Sequence, residues 1–199
     1  MARYTNEKTQ STLKELEQIS KTENLPSIGP IKGKIVSDII RNYGPTSILE
    51  VGTLHGYSAI LMGDLLPDDG KLITIEINKS LADIARKNID RAGLSKRIEV
   101  ICGNALKIIP TLTYKFDLVF LDAIKSEYLQ YLKQLEANKL IKKNAVVVAD
   151  NVKLYENEMT DYLVYVRNTG LYKSQTTQTT LEFNKNIEDA LEISMRLEK

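Results

Sequence analysis

The stretch ILEVGTLHGYSAI, residues 48–60, contains the turn that decides the fold. Its apolar start predicts a buried strand, Gly52 and Gly56 bracket a loop, and an apolar helix follows from Tyr57. Glycines allow a positive φ and a close approach of the backbone to a ligand, and the N–H groups of a helix N-terminus attract an anion. The loop therefore predicts a ligand site at a strand-to-helix turn, with a plain tight turn as the alternative.

The same order of strand, loop and helix recurs along the chain. Apolar runs predict strands at 47–51, 71–77, 97–103, 116–122 and 145–150. Apolar residues at helical spacing predict helices at 6–21, 31–42, 57–66, 80–93, 125–137 and 158–168. This alternation indicates an α/β fold with a Rossmann-like, doubly wound, mostly parallel sheet.

The two ends of the chain differ from this pattern. Threonine-rich residues 171–199 predict an antiparallel C-terminal hairpin, which brings the expected sheet to seven strands. We expect one domain over 1–199, in which the N-terminal helices within 1–42 form part of the cover of the site. The first of these helices could instead pack against another subunit, and a homodimer is a possible assembly.

Composition limits the classes of function. Lys and Arg total 27 and Asp and Glu 26, so the net charge is +1, which argues against a nucleic-acid binder because such proteins usually carry a basic excess. The polar N-terminus does not resemble a signal peptide, and the apolar runs are too short to span a membrane. Cys102, the only cysteine, excludes an intrachain disulfide and is expected to be buried in its strand. We therefore expect a cytoplasmic protein with a small-molecule substrate and neither a nucleic-acid nor a membrane partner.

Two polar residues at the ends of the next predicted strands extend the glycine loop into a larger site. Glu76 is near the end of the strand at 71–77, where an acid can accept both hydroxyls of a ribose. Asn104 follows the strand at 97–103, where its amide could meet the edge of an adenine. Because ligands bind at the carboxyl ends of the strands in open parallel sheets, the pattern predicts a nucleoside site. S-adenosylmethionine and NAD remain alternatives at this point.

Three oxygen-bearing side chains follow the last two parallel strands. Asp122 ends the strand at 116–122, and Asp150 and Asn151 end the strand at 145–150. Neighbouring strands lie about 4.8 Å apart, so these side chains can converge on one ion, and Mg²⁺ prefers such oxygen ligands. The alternative for either aspartate alone is a helix cap. Together, beside a nucleoside loop, the three favour a metal site.

Lys125 lies three residues after Asp122. A lysine at the start of a helix is commonly a solvated charge. Next to a divalent cation its charged form is disfavoured, and an amine with a lowered pKa can take a proton from a hydroxyl group near neutral pH. Lys125 is therefore a candidate general base.

Several stretches together resemble the metal-dependent (class I) S-adenosylmethionine-dependent O-methyltransferases, and among them the catechol O-methyltransferases. The stretches are SIGPIKGKIVSDIIRNY, LEVGTLHGYSA, LITIEIN, IIPTL, FDLVFLDAIKSEYL, ADNV and LEF, in the order and spacing of the family. The resemblance runs from about Ile28 to the C-terminus. It implies transfer of a methyl group from S-adenosylmethionine to a hydroxyl of a catechol-like molecule, with Mg²⁺ or another divalent cation.

The resemblance also implies a role for each matching position. The cofactor would be bound by Ile28, Glu50, Gly52, Tyr57, Ser58, Glu76, Asn104 and Asp122. The metal ligands would be Asp122, Asp150 and Asn151, and Lys125 would be the catalytic base. The substrate would contact Lys125, Asn151 and Glu182.

The chain departs from the family pattern around the acceptor. Asn24 and Ile124 stand where the animal enzymes place bulky aromatic residues, and Ala105 replaces a polar contact to adenine. His55, the only histidine, has no catalytic counterpart in the family and is interpreted as a loop residue. These differences leave a larger hydroxylated metabolite or an acyl-CoA-linked phenol as alternative acceptors. A non-catalytic S-adenosylmethionine-binding protein is the alternative from another class.

Overall fold

A seven-stranded sheet forms the frame of the molecule. The computed structural model describes residues 6–182 and 184–197; residues 1–5 of the expected domain, Phe183 of the family stretch LEF, and residues 198–199 lie outside the described residues. The strands are β1 (Ser47–Val51), β2 (Lys71–Glu76), β3 (Ile98–Cys102), β4 (Phe116–Leu121), β5 (Ile141–Ala149), β6 (Tyr172–Leu181) and β7 (Asn184–Arg196). Their order is β3-β2-β1-β4-β5-β7-β6, in which β1 to β5 are parallel and β7 runs antiparallel to β5 and β6. The predicted fold class is confirmed.

Helices cover both faces of this sheet. They are α1 (Glu7–Glu23), α2 (Gly29–Tyr43), α3 (Tyr57–Leu65), α4 (Lys79–Arg91), α5 (Ala105–Ile108), α6 (Tyr128–Ala137) and α7 (Thr160–Asn168), with short 3-10 turns at 109–111, 125–127 and 156–158. One apolar core lies between the sheet and α5, α6 and α7, and a second lies between the sheet and α1 to α4. Every residue of β1 is therefore buried, as a strand covered on both faces requires. None of the helices in the described part of the chain combines the length and apolar character needed to cross a bilayer.

The apolar pattern predicted the start of one strand four residues too late, and it wrongly predicted that one side chain is buried. β5 begins at Ile141 rather than at residue 145, because polar residues fill its first half and Asn144 takes a positive φ of 58° near a shift in the register with β4. Cys102 is exposed rather than buried. Cys102 is the last residue of β3. Because β3 lies at the edge of the sheet, it has a neighbouring strand on one side only, and its end is less covered than the ends of the central strands.

The loop after β1 brings the two halves of the predicted site together. Gly52 has a φ of 98°, and a Cβ atom there would lie 2.0 Å from the carbonyl oxygen of Asp122. Only glycine fits this contact, since another residue would be strained and would collide with backbone. The backbone N–H of Asp122 in turn donates to the Val51 carbonyl at 2.9 Å. The glycine loop and the start of the acid cluster are therefore in direct contact.

Candidate active site

A cavity of about 810 Å³ opens at the carboxyl ends of the parallel strands. It is lined by the predicted site residues Ile28, Gly52, Tyr57, Ser58, Glu76, Asn104, Asp122, Lys125, Asp150, Asn151 and Glu182. Glu50 is the exception: it is fully buried in β1, and its side chain lies behind the cavity wall. The strand topology thus brings the predicted cofactor, metal and substrate positions to one space.

Glu76 holds the glycine loop in shape. One of its carboxylate oxygens accepts the backbone N–H groups of Thr53 at 3.2 Å and Leu54 at 2.9 Å, and the other accepts the N–H of Asn78 at 2.9 Å. Carboxylate oxygens have about four lone-pair directions in all, so acceptor capacity remains for a ligand hydroxyl. Glu76 can therefore shape the loop and bind a ribose at once.

Two side-chain oxygens are among the buried polar atoms near the cavity that lack a hydrogen-bond partner in the described residues. Asn104 Oδ1, at the wall, and Glu50 Oε1, behind it, accept no hydrogen bond. Burial raises the pKa of Glu50 to about 8. Buried acceptors without a donor are costly, and an amino or ammonium group of a bound ligand would satisfy them. S-adenosylmethionine carries both kinds of group, so these residues fit it.

The N-terminal helix α1 is fastened to the glycine loop. The Tyr57 hydroxyl donates to Glu17 at 2.7 Å, and His55 Nε2 lies 2.7 Å from the Ser20 hydroxyl. His55 is 3% exposed, and burial lowers its pKa to about 4, so the ring is neutral at physiological pH. This placement agrees with a structural role for His55 in the loop and does not indicate a base.

The three predicted metal ligands each keep an oxygen without a hydrogen-bond partner in the described residues. Asp122 uses Oδ1 for Lys125, Asp150 uses Oδ1 for Lys32 and the Asn151 N–H, and the Asn151 amide nitrogen donates to Asp189. This leaves Asp122 Oδ2, Asp150 Oδ2 and the amide oxygen of Asn151 for a hard cation. Burial and the charge of Asp122 raise the pKa of Asp150 to about 6, as expected for a buried carboxylate beside a second negative charge.

No group of three or more His, Cys, Asp or Glu side chains suited to a metal is found in residues 6–182 and 184–197. The candidate set has two carboxylates and one amide, which is a donor set that suits Mg²⁺ better than Zn²⁺. The residues present therefore fit a hard divalent ion.

Lys32 and Asp189 complete the hydrogen-bond network around Asp150 and Asn151, and sequence reasoning missed both. Lys32 is 2% exposed and its Nζ lies 2.6 Å from both Asp150 Oδ1 and Asp189 Oδ2. Burial disfavours the charge of Lys32, but the two carboxylates outweigh it and raise its pKa above the ordinary value. Lys32 lay inside the quoted stretch SIGPIKGKIV as a polar residue between apolar ones. Asp189 followed the predicted hairpin turn, and nothing in its pattern distinguished it from a surface charge.

Lys125 lies at the floor of the acceptor side. Its Nζ donates to Asp122 Oδ1 at 2.8 Å and to the Tyr128 hydroxyl at 2.8 Å, and its side chain is 12% exposed. This burial excludes the freely solvated lysine that was the alternative. Lys125 is held at the wall of the cavity beside the candidate metal ligand Asp122.

Glu182 lies at the N-terminus of α2. Its carboxylate accepts the Ile31 N–H at 3.1 Å, and a Cβ on Gly29 would lie 2.0 Å from its Cγ. Burial raises the pKa of Glu182. The side chain therefore caps a helix and also lines the cavity.

The mouth on the acceptor side is open and acidic. Ile124 and Tyr155 line the cavity with 48% and 39% of their surface exposed, and Asn24, which follows α1 with a φ of 53°, is also part of the lining. Glu127 and Glu158 line the same region. The basic residues of the lining in the described chain are Lys32 and Lys125, and each is already paired with aspartate.

A glycine loop joined to strand-end acids on this sheet defines the class of S-adenosylmethionine-dependent methyltransferases. The O-methyltransferase family model matches residues 3–196, and the chain belongs to this family. Catechol O-methyltransferase from Mus musculus is 36% identical over 189 residues, which are 92% of this chain and 70% of the mouse protein.

Solved structures agree with this placement. The O-methyltransferase from Bacillus cereus in complex with SAH has a TM-score of 0.81 and 29% identity, over 94% of this chain and 90% of that one. The O-methyltransferase TomG from Streptomyces achromogenes, involved in tomaymycin synthesis and in complex with SAM, has a TM-score of 0.83 and 28% identity, over 100% and 93%. The predicted family is thus confirmed.

Proposed function

We propose that this chain transfers a methyl group from S-adenosylmethionine to a hydroxyl of a catechol-like small molecule in a Mg²⁺-dependent reaction. One observation carries the proposal: Asp122, Asp150 and Asn151 each present a free oxygen beside Lys125, at the wall of the cavity that the glycine loop also lines. A methyltransferase that needs no metal has no requirement for this set.

The glycine loop and the strand ends would bind the cofactor. The α3 N-terminus, with Ser58, would receive the methionine carboxylate, because no side chain of the described residues caps this end of the helix and the helix dipole favours an anion there. Glu76 would accept the ribose hydroxyls, Asn104 Oδ1 would meet the adenine edge, and Ile28 and Tyr57 would form the apolar wall. Glu50 would act from behind the loop, where its carboxylate stabilises the positive charge of the methionine end.

The acceptor would be bound at the other end of the cavity. Mg²⁺ held by Asp122, Asp150 and Asn151 would supply charge stabilisation that lowers the pKa of a bound hydroxyl. Lys125 would accept the proton of the reacting hydroxyl, and Glu182 would accept a hydrogen bond from the second one. Holding both groups in place lowers the entropic part of the barrier.

The charges of the mouth favour a small catechol over an acyl-CoA-linked phenol. Glu127 and Glu158 line the opening, and both lysines of the lining are neutralised by aspartate. A coenzyme A arm carries several negative charges and would be repelled. The exposed Ile124 and the short Asn24 leave space for a substituted ring, so the larger hydroxylated metabolite is the second candidate.

The test is methyl transfer from labelled S-adenosylmethionine to a panel of catechols, with Mg²⁺ and then with EDTA. Matched monophenols serve as controls, because they cannot offer two adjacent oxygens. We expect turnover of catechols only, and its loss with EDTA. Turnover that persists in EDTA would contradict the metal role, and cofactor binding without any turnover would favour a binding-only protein.

A further inference from the structure

Lys125 has a second hydrogen-bond partner that the family motif does not single out. Besides Asp122, the ammonium group donates to the hydroxyl of Tyr128 at 2.8 Å, and Nζ lies 5.2 Å from the centroid of the Tyr128 ring. A 3-10 turn, Lys125–Glu127, leads directly into α6, whose first residue is Tyr128. The turn thus places the two side chains next to each other, with Lys125 in the cavity lining and Tyr128 buried beside it.

Tyr128 is itself fixed by its surroundings. Its side chain is fully buried, and its ring packs edge to face on Tyr162, with centroids 5.7 Å apart at 87°. Its hydroxyl proton points to the Asp150 carbonyl oxygen at 3.4 Å. Because a phenol has one proton, the hydroxyl can receive the Lys125 hydrogen bond only through a lone pair. The tyrosine is therefore a rigid acceptor.

A lysine needs such an acceptor if it is to work as a base. The lysine side chain has four rotatable bonds and loses rotamer entropy when it is fixed. Asp122 alone would not hold the amine, because this carboxylate also belongs to the candidate metal set. The Tyr128 hydroxyl has no such second use in the described residues, since its other bond is to backbone.

We propose that Tyr128 is a positioning residue that holds the Lys125 amine toward the acceptor hydroxyl. The effect of Tyr128 on catalysis rests on the proposed function. The hydrogen bond between Tyr128 and Lys125 is present in the protein whatever its activity. Tyr128 does not touch the substrate or the cofactor: it is absent from the lining of the cavity, whereas Lys125 belongs to it.

The first test compares Tyr128→Phe with Tyr162→Phe. Both variants remove one buried hydroxyl from the same aromatic pair and keep the ring, so they are matched for packing. In the catechol assay, Tyr128→Phe should lower kcat by about 10- to 100-fold, because a hydrogen bond to a charged group is lost and the base is misplaced. The KM for catechol and the Kd for S-adenosylmethionine should stay within about twofold by the same argument, since only positioning is lost. Tyr162→Phe should keep the wild-type kcat.

The second test needs no turnover. Lysine side chains are labelled competitively with acetic anhydride and quantified by mass spectrometry, with the exposed Lys133 of α6 as the internal reference. The reactivity of Lys125 relative to Lys133 should rise severalfold in Tyr128→Phe and stay unchanged in Tyr162→Phe. An unchanged reactivity of Lys125, or a kcat within twofold of wild type, would overturn the proposal. If the wild-type protein methylates no catechol, the proposed function fails, and the labelling result still decides whether Tyr128 holds Lys125.

Discussion

The two halves of the cavity hold their acidic groups in different ways. On the cofactor side, at the ends of β1 and β2, Glu50 and Glu76 are bonded to a threonine hydroxyl and to backbone N–H groups. No lysine or arginine pairs with either of them among the described residues. On the acceptor side, at the ends of β4 and β5, Asp122 and Asp150 are each paired with a lysine.

This difference shows what each half requires from its ligand. The cofactor side leaves the acceptors Glu50 Oε1 and Asn104 Oδ1 unsatisfied in the described residues, so a ligand that brings donors and positive charge is favoured there. The acceptor side is already a network of opposite charges, in which one buried cation, Lys32, bridges two aspartates. Such a network fixes geometry before any ligand enters, which is what a catalytic site needs.

The largest expected effect comes from breaking the acceptor side at Asp150. Asp150→Ala should abolish Mg²⁺-dependent turnover, because it removes a metal ligand and one of the two partners of Lys32, while cofactor affinity stays nearly unchanged. Turnover and calorimetric binding of S-adenosylmethionine measure the two halves separately. Asp150→Asn, which preserves side-chain volume, controls for lost stability. Unchanged turnover in Asp150→Ala would refute the metal assignment.

Lys125→Ala should give the next largest effect. General-base catalysis contributes about 10²- to 10⁴-fold, so kcat should fall by that factor while the KM for the catechol changes little. Lys133→Ala, an exposed lysine on the following helix, is the matched control and should behave as wild type. If only KM rises, Lys125 is a substrate contact and the base must be sought elsewhere.

Local sequence patterns were sufficient to predict which polar residues lie together at the carboxyl ends of the parallel strands. Gly52, Glu76, Asp122 and Asp150 follow strands whose apolar runs are unmistakable, and parallel strands bring their ends to one edge. The position of Lys125 three residues after Asp122 made it a candidate base, and the family resemblance added Glu182, for which composition alone indicated only an edge-strand charge.

What the sequence did not predict depends on contacts between distant segments. Lys32 comes from the N-terminal helix α2 and Asp189 from β7, and only the folded chain shows that they meet at Asp150. β7 is also antiparallel to β5, so its register could not be inferred from the alternation of strands and helices. Tyr128 had the pattern of an ordinary apolar helix residue, and its hydroxyl partner became visible only in the structure.

Asp189→Asn tests whether the contacts of Asp189 with Lys32 and Asn151 support metal binding. Asp189 accepts the Asn151 amide at 2.7 Å and so turns the amide oxygen toward the candidate ion. Loss of such an outer partner typically weakens metal binding by about 10- to 100-fold, and we expect that for Mg²⁺ measured by calorimetry. Glu192→Gln, another buried acid of β7 paired with Arg167 instead, should leave the Kd for Mg²⁺ unchanged. Equal Kd values in the two variants would limit Asp189 to a structural role.

The smallest effect concerns the cofactor side and appears in the pH dependence of stability. Burial raises the pKa of Glu50 to about 8, so between pH 6.5 and 8 the ligand-free folded state keeps a proton that the unfolded state has lost. The free energy of unfolding should therefore fall as pH rises, by at most about 1.4 kcal/mol per pH unit, and Glu50→Gln should remove this slope. His55 opposes this slope near pH 6.5, where the unfolded state still binds part of a proton and the buried ring, with a pKa of about 4, binds none; it adds little above about pH 7.5, where the slope is best measured.

Denaturant unfolding at several pH values measures this slope, and Asp117→Asn provides the control. Hydrogen bonds from Lys142, Thr46 and Ser47 outweigh burial and lower the pKa of Asp117 to about 2, so this carboxylate is ionised in both states throughout the window. Its removal should lower stability by a constant amount and leave the slope in place. If the free energy of unfolding of the wild-type protein does not change with pH in this window, Glu50 is already ionised in the folded state. The cofactor side would then resemble the acceptor side, because both would hold ionised carboxylates.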